Sequence, residues 1–422
     1  MKYLLTLIST LLLFASCSKD EKPDFTKQKA TRAIMIYMAG ENNLTQYSNL
    51  RALQEDLAEI VEGSKLLSDN QRVFVFVDSL GTNSDKQWNG KPYIIEVHGG
   101  NVYDRKQYDS DFYSCDPDKF REIVSWMTSN IQADGYGLVL WGHASGWVVE
   151  KDTIVSSRRA YGLDEGKDLG QSSKWMNITQ MSEALKGLPK LDFIFADCCN
   201  MMSAEVGYEL RNVTKYLIGS SAEIPGSGAP YDEILPLLFK NDKALYQGII
   251  DTYYNYYVDA YNISNPSLAG YSLPLSVIDT QYMPQLAQAT RSILDSFTDG
   301  YPQYPKVLSL RNIAYYIHID AAMMYDMRAV IKSHTSDADF QQWDNIYKQA
   351  VPYYRMSLEW MTIYNNLKYA FNSFNQDESL YGCVSMYFPQ NESAYIGGQY
   401  EYNKTASNFE WNRIIDWGRY GW

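Results

Sequence analysis

The chain of 422 residues is 45% hydrophobic and 14% aromatic, with 36 tyrosines, so it carries ample material for a large core and general disorder is excluded. Its formal charge of −13 excludes an electrostatic nucleic-acid binder, so no nucleic acid is expected as a partner. The same charge draws cationic peptides and proteins.

At the N-terminus, Lys2 precedes an apolar run from Tyr3 to Phe14 that is too short to span a bilayer and is closed by Ala15, Ser16 and Cys17. This resembles a bacterial lipoprotein signal. The resemblance implies that residues 1–16 are removed and that Cys17 carries the lipid, anchoring the chain in the bacterial envelope. Residues 17–31 then form a polar tether, in which Ser18-Lys19-Asp20-Glu21 resembles export signals to the outer membrane and its outer face.

Strand-like apolar runs follow at Ala33 to Ala39, Val73 to Val77, Tyr93 to Val97, Gly137 to Trp141, Asp192 to Ala196 and Tyr216 to Ser220. Helical patterns lie between them: Leu44 to Val61, Phe120 to Ile131 behind the cap Asp116-Pro117, and Ile178 to Leu188. This alternation predicts an α/β fold, a mostly parallel sheet flanked by helices, over residues 32–264. Reactive groups in such sheets gather beyond the carboxyl ends of the strands. Residues 265–422 read as a helix-rich region, with helices at Met283 to Phe297, Ala321 to Lys332 and Phe340 to Leu367. A strand at Cys383 to Phe388 returns toward the first unit.

Two strand ends carry the chemistry. His143 follows Leu138-Val139-Leu140-Trp141-Gly142, and Gly142, Ser145 and Gly146 permit a tight turn that presents an imidazole. Of the other histidines, His98 also ends a strand and is the rival, His318 reads as core, and His334 as surface. The second end is Asp197-Cys198-Cys199. Strand alternation puts Asp197 and Cys199 on one face and Cys198 on the other, and the start of a helix at Met201 to Leu210 offers amides to a thiolate. Geometry alone leaves open which cysteine reacts. Cys115 and Cys383 are available for a disulfide in an oxidising compartment. Neither CxxC nor HExxH spacing nor an Asp-rich calcium loop is present, so no metal or cofactor is expected.

Gly137 to Trp147, and Asp197-Cys198-Cys199-Asn200-Met201 with Glu205 and Tyr208-Glu209-Leu210, are similar to the two signatures of clostripain-like cysteine peptidases, which have a caspase-like fold. Met35 to Leu44, Ser220 to Glu223 through Tyr231-Asp232, and Gly382 to Pro389 resemble further segments of that family. The resemblance implies that Cys199 is the nucleophile, His143 the general base, and the backbone N–H groups of Cys199 and Ala144 the oxyanion donors. It also implies cleavage after Arg or Lys, with Asp197 receiving the basic side chain, and self-cleavage between the two motifs, for which Arg158 and Arg159 are candidates. Ala144 departs from the family's glycine, and Cys198 and Asn200 from its apolar neighbours of the nucleophile. Asp197 has a second reading as a helix cap. A catalytically inactive lipoprotein that binds peptide or glycan is the other functional reading.

Overall fold

The computed structural model describes residues 29–45, 51–81, 90–147, 161–264, 273–300, 308–318, 322–356, 359–361, 368–370, 377–389 and 405–422. The expected lipidation position Cys17 and the candidate cleavage residues Arg158 and Arg159 lie outside these residues.

In chain order the strands are β1 (Arg32–Gly40), β2 (Gln71–Ser79), β3 (Tyr93–His98), β4 (Asn101–Gln107), β5 (Tyr136–Gly142), β6 (Tyr161–Asp164), β7 (Lys174–Met176), β8 (Leu191–Asp197), β9 (Thr214–Ser220) and β10 (Leu275–Asp279). They continue with β11 (Tyr315–His318), β12 (Ala322–Asp326), β13 (Tyr353–Arg355), β14 (Glu359–Met361), β15 (Lys368–Ala370) and β16 (Ser385–Met386). The helices are α1 (Ala52–Gly63), α2 (Pro117–Asn130), α3 (Ile178–Leu185), α4 (Ala204–Glu209), α5 (Tyr231–Ile234), α6 (Asp242–Ser264), α7 (Met283–Ile293), α8 (Met327–His334), α9 (Asp337–Ala350) and α10 (Glu410–Ile415).

Nine strands form one sheet in the order β13-β10-β9-β8-β5-β1-β2-β3-β4. The five central strands, β9, β8, β5, β1 and β2, run parallel, and the edge strands are antiparallel to their inner neighbours. Every residue of β1 is buried, as expected of a parallel strand covered on both faces. One face packs against α1, α5 and α6, the other against α2, α3, α4 and α7 with the C-terminal helices. The carboxyl ends of β1, β2, β5, β8 and β9 therefore open at one edge of the sheet.

Several local outcomes differ from the sequence pattern. Strand β4 is polar and mostly exposed, and it exists because Gly99 and Gly100, at φ 57° and 79°, turn the chain back along β3. The helix expected from Ala321 begins only at Met327, where Asp326 accepts the Ala329 N–H at 3.0 Å. Residues 322–326 are strand instead. The helix expected to reach Leu367 ends at Ala350, two residues before Pro352, which cannot donate the next backbone bond. Strands β10 and β13, from the region expected to be helix-rich, complete the sheet beyond β9, while β16 pairs with β12.

Two residue-level expectations are corrected. His334 is not on the surface: it is 2% exposed, its Nδ1 meets the Val330 carbonyl at 2.7 Å, and its ring stacks on Phe297. Cys115 and Cys383 form no disulfide; both are buried free thiols. No helix among the described residues is long and apolar enough to cross a membrane.

Candidate active site

Strands β5 and β8 are parallel neighbours with Trp141 paired to Asp197. His143 and Cys199 each lie two residues beyond that pair, so the register places them in neighbouring turns at the carboxyl edge of the sheet. His98 is removed as a rival by topology. Strand β3 runs antiparallel to β2, which puts His98 at the opposite edge, where its Nε2 meets Asp69 Oδ1 at 3.1 Å.

The turn after β5 is built on glycine. Gly142 has φ 137° and a Cβ there would stand 2.8 Å from the Ala39 carbonyl oxygen of the neighbouring strand. Gly146 has φ 62° and a Cβ would lie 2.4 Å from the Asn200 carbonyl oxygen, so the histidine turn rests directly on the backbone that follows Cys199. The left-handed positions thus fall on Gly142 and Gly146, not on Ala144, which explains why alanine is accepted there. Ala144 bridges Tyr161 through a bond from Gly162 N to the His143 carbonyl, which leaves the Ala144 N–H outside that bond.

His143 is half-buried, and its Nε2 lies 2.6 Å from Asn43 Oδ1. An amide oxygen accepts only from a protonated nitrogen, so this contact puts the proton on Nε2 and leaves Nδ1 basic. Burial pulls the imidazole down to about 4, against the charge of Glu165. Asn43 belongs to the segment Met35 to Leu44, yet nothing in the sequence assigned it a role, because its partner is a hundred residues away.

Strand alternation separates the cysteines as expected. Cys198 is fully buried in the core beneath α2, α3 and α4, whereas Cys199 is half-buried and its sulfur accepts the Ile224 N–H at 3.4 Å. Burial and the charge of Glu223 push the Cys199 thiol up to about 12. The expected help from a helix N-terminus is absent: α4 starts at Ala204, and its cap Ser203 spends its hydroxyl on Val206 N. Asn200 takes φ 60°, a conformation asparagine tolerates better than most residues, and both atoms of its buried amide lack partners.

Asp197 does not cap a helix. Its Oδ2 accepts from Ala229 N at 3.1 Å and Tyr231 Oη at 2.8 Å, and its Oδ1 from Tyr253 Oη at 2.8 Å. Burial still pushes its carboxyl up, with these donors holding it back. Asp56 lies beside it: Gly228, at φ 60°, passes so closely over both that a Cβ would meet Asp56 Oδ2 at 2.8 Å and Asp197 Oδ2 at 3.0 Å. Burial and the Asp197 charge push Asp56 up to about 9, while burial lifts Glu59 to about 7. Asp56, Glu59 and Tyr253 had no motif to mark them, since they come from α1 and α6, and Tyr231, although in a segment that resembles the family, had no role assigned.

The C-terminal residues reach both turns. Trp147 packs edge-on against Tyr387 and at a tilt against Phe409, at ring separations of 5.4 and 5.3 Å. Beyond Cys199, the Met202 carbonyl accepts from Ser385 N at 3.0 Å, and buried Glu205 accepts from Tyr387 N at 2.9 Å. The Ser221 hydroxyl is within reach of the Met202 and Cys383 carbonyls, at 2.8 and 2.6 Å.

The pattern of the clostripain family, Peptidase C11, matches residues 36–418. A secreted C11 cysteine protease from Bacteroides thetaiotaomicron, solved with an irreversible peptide inhibitor, superposes with a TM-score of 0.73. It is 28% identical, over 92% of this chain and 99% of that one. An inactive zymogen C11 protease from Parabacteroides distasonis shares the fold at a TM-score of 0.70 and 22% identity, with the same coverage. Clostripain of Hathewaya histolytica is 28% identical over 227 residues, 49% of this chain but only 41% of that longer protein. With a family pattern that runs from the first core strand nearly to the C-terminus, the chain belongs to the clostripain family of C11 peptidases.

Proposed function

We propose that the protein is a lipid-anchored cysteine endopeptidase in which Cys199 is the nucleophile and His143 the general base, cleaving after Arg or Lys. The observation that carries it is the Trp141–Asp197 register, which brings His143 and Cys199 to adjacent strand ends whose turns touch at Gly146 and Asn200.

His143 Nδ1 takes the Cys199 proton as sulfur attacks the peptide carbonyl, and the carbonyl oxygen becomes an oxyanion held by the N–H groups of Cys199 and Ala144. Collapse breaks the C–N bond, the imidazolium gives its proton to the departing amine, and a thioester remains. Water, deprotonated by the same imidazole, then attacks the thioester and releases the acid and the thiol. Because burial favours neutral imidazole and neutral thiol, the proton moves during attack rather than beforehand. Asn43 positions the imidazole.

Asp197 and Asp56 form an acidic floor, with Glu59 behind them, that suits a guanidinium or ammonium group. Asp197 uses three bonds to fix its position, and a carboxylate retains a further lone-pair direction for a cation. Peptides labelled after Arg, Lys or an acidic residue test the reading with wild type, Cys199→Ala, Cys198→Ala and His143→Ala. Turnover confined to the basic peptides, lost in Cys199→Ala and His143→Ala and kept in Cys198→Ala, is expected. A folded wild type that stays inactive even after nicking with trypsin overturns it in favour of a binding protein. Lipidation at Cys17 is tested by mass spectrometry of the membrane-bound N-terminus and by release on Cys17→Ser.

A further inference from the structure

Trp147 lies four residues after His143, Glu205 stands in the first turn of α4 six residues beyond Cys199, and Tyr387 follows β16. The three meet inside the protein. Glu205 is 0% exposed and Trp147 2% exposed; the Tyr387 N–H donates to Glu205 Oε1 at 2.9 Å, and the Trp147 ring stands edge-on to the Tyr387 ring. Two buried polar atoms of this group lack a hydrogen bond, Glu205 Oε2 and Trp147 Nε1, the one an acceptor and the other a donor. We propose that Glu205 is a positioning residue whose carboxylate takes the Trp147 N–H, clasping the histidine turn to the helix behind the nucleophile. The role rests on the reading of Cys199 and His143 as the reacting pair.

An ionised carboxylate out of water persists only with donors or a cation around it, and an indole N–H has one proton to give. What acts on Glu205 most is its burial, followed by the amides of Tyr387 and of Glu205 itself, the Ser203 hydroxyl and the Trp147 indole; no cation stands among them. Burial pushes the carboxyl up to about 7, and those four donors hold it back. Ser203 serves on two sides. Its oxygen accepts the Val206 N–H at 3.2 Å as the cap of α4, which leaves its own proton for the carboxylate.

Position is what the clasp supplies. Trp147 adjoins Gly146, which rests on the Asn200 carbonyl, and two residues further the Met202 carbonyl accepts from Ser385 N at 3.0 Å. One short segment, from Ser385 to Tyr387, therefore bonds both to the backbone just past Cys199 and to the carboxylate that faces Trp147. Both reacting turns share this support. A shift of about 1 Å in either reacting group costs roughly 10²-fold in rate, so a bond that fixes the turn acts on kcat without touching substrate.

The test uses the mature chain with nitrogen-15-labelled tryptophan, as wild type, Glu205→Gln, Trp147→Phe and the double variant, each checked by its melting curve. Glutamine keeps the shape of glutamate but offers one acceptor oxygen, so it cannot serve both N–H groups; phenylalanine removes the indole N–H and keeps a ring. The indole resonance missing from Trp147→Phe identifies Trp147, and its proton is expected to move upfield in Glu205→Gln. On peptides cut after Arg or Lys, kcat is expected to fall about 10-fold in each single variant at unchanged KM, and no further in the double variant. An indole resonance that Glu205→Gln leaves in place overturns the clasp. So does a wild-type kcat in both folded single variants, or losses that multiply in the double variant. A wild type inactive on every peptide overturns the Cys199–His143 reading and the positioning role with it, while the indole resonance still decides whether the contact exists.

Discussion

Gly146 presses on the carbonyl of Asn200 so closely that a single added carbon would stand 2.4 Å from it. The turn that carries the histidine and the one that carries the cysteine are therefore seated on each other without an intervening side chain.

Gly146→Ala forces these turns apart and strains a left-handed residue as well, at a cost of about 1–3 kcal/mol. Displacing one reacting group by about 1 Å loses roughly 10²-fold in rate, so kcat is expected to fall much further than stability alone explains. Melting curves beside steady-state kinetics check this.

Asn43→Ala removes the acceptor for His143 Nε2. The proposed positioning role predicts a 10- to 100-fold lower kcat, roughly the loss seen when orienting partners are removed, with KM unchanged. Asn43→Asp keeps an acceptor oxygen and should restore part of the rate. An unchanged kcat in Asn43→Ala would remove Asn43 from the mechanism.

The pH dependence follows from the resting protonation states. His143 is depressed from 6.5 to about 4 in the folded protein, so folding favours the neutral ring. Its contribution, about 2–3 kcal/mol, is fully present above the unfolded value near 6.5 and is lost as pH falls toward 4. His143→Gln should flatten that stretch of the stability curve. Cys199 is raised, so alkylation by iodoacetamide should quicken about tenfold per pH unit from 6 to 9 without a plateau. A plateau near neutrality would indicate a preformed thiolate–imidazolium pair.

Asp197→Asn keeps one of the two acceptor oxygens and removes the charge. For peptides cut after Arg or Lys, kcat/KM should fall by the value of a charged hydrogen bond, about 1.5–3 kcal/mol or roughly 10- to 150-fold. Peptides with an uncharged residue before the cut should change little. Equal losses on both would reduce Asp197 to a structural anchor for Tyr231 and Tyr253.

The parallel core was legible because β1, β5 and β8 are continuous apolar runs that end at turn residues, and periodicity reports such burial directly. Alternation along β8 likewise separates Cys198 from Cys199. What escaped depends on contacts between distant segments. Asp56 faces Asp197 only because α1 lies over the sheet, and Glu205 meets Tyr387 across 182 residues of sequence. Strand β4 escaped for the opposite reason: its exposed, polar residues carry no burial pattern, and only the Gly99-Gly100 turn signals it. His334 looked superficial among Ser and Thr, but the aromatic ring that covers it, Phe297, comes from before β11.

The packing of Trp147 on Tyr387 and Phe409 also sets an order of events. A chain still emerging from the ribosome already holds His143 and Cys199 in its first half. It has not yet received the residues that seat their turns. Seating of the histidine turn therefore waits on residues 387–409, long after His143 and Cys199 have both been made.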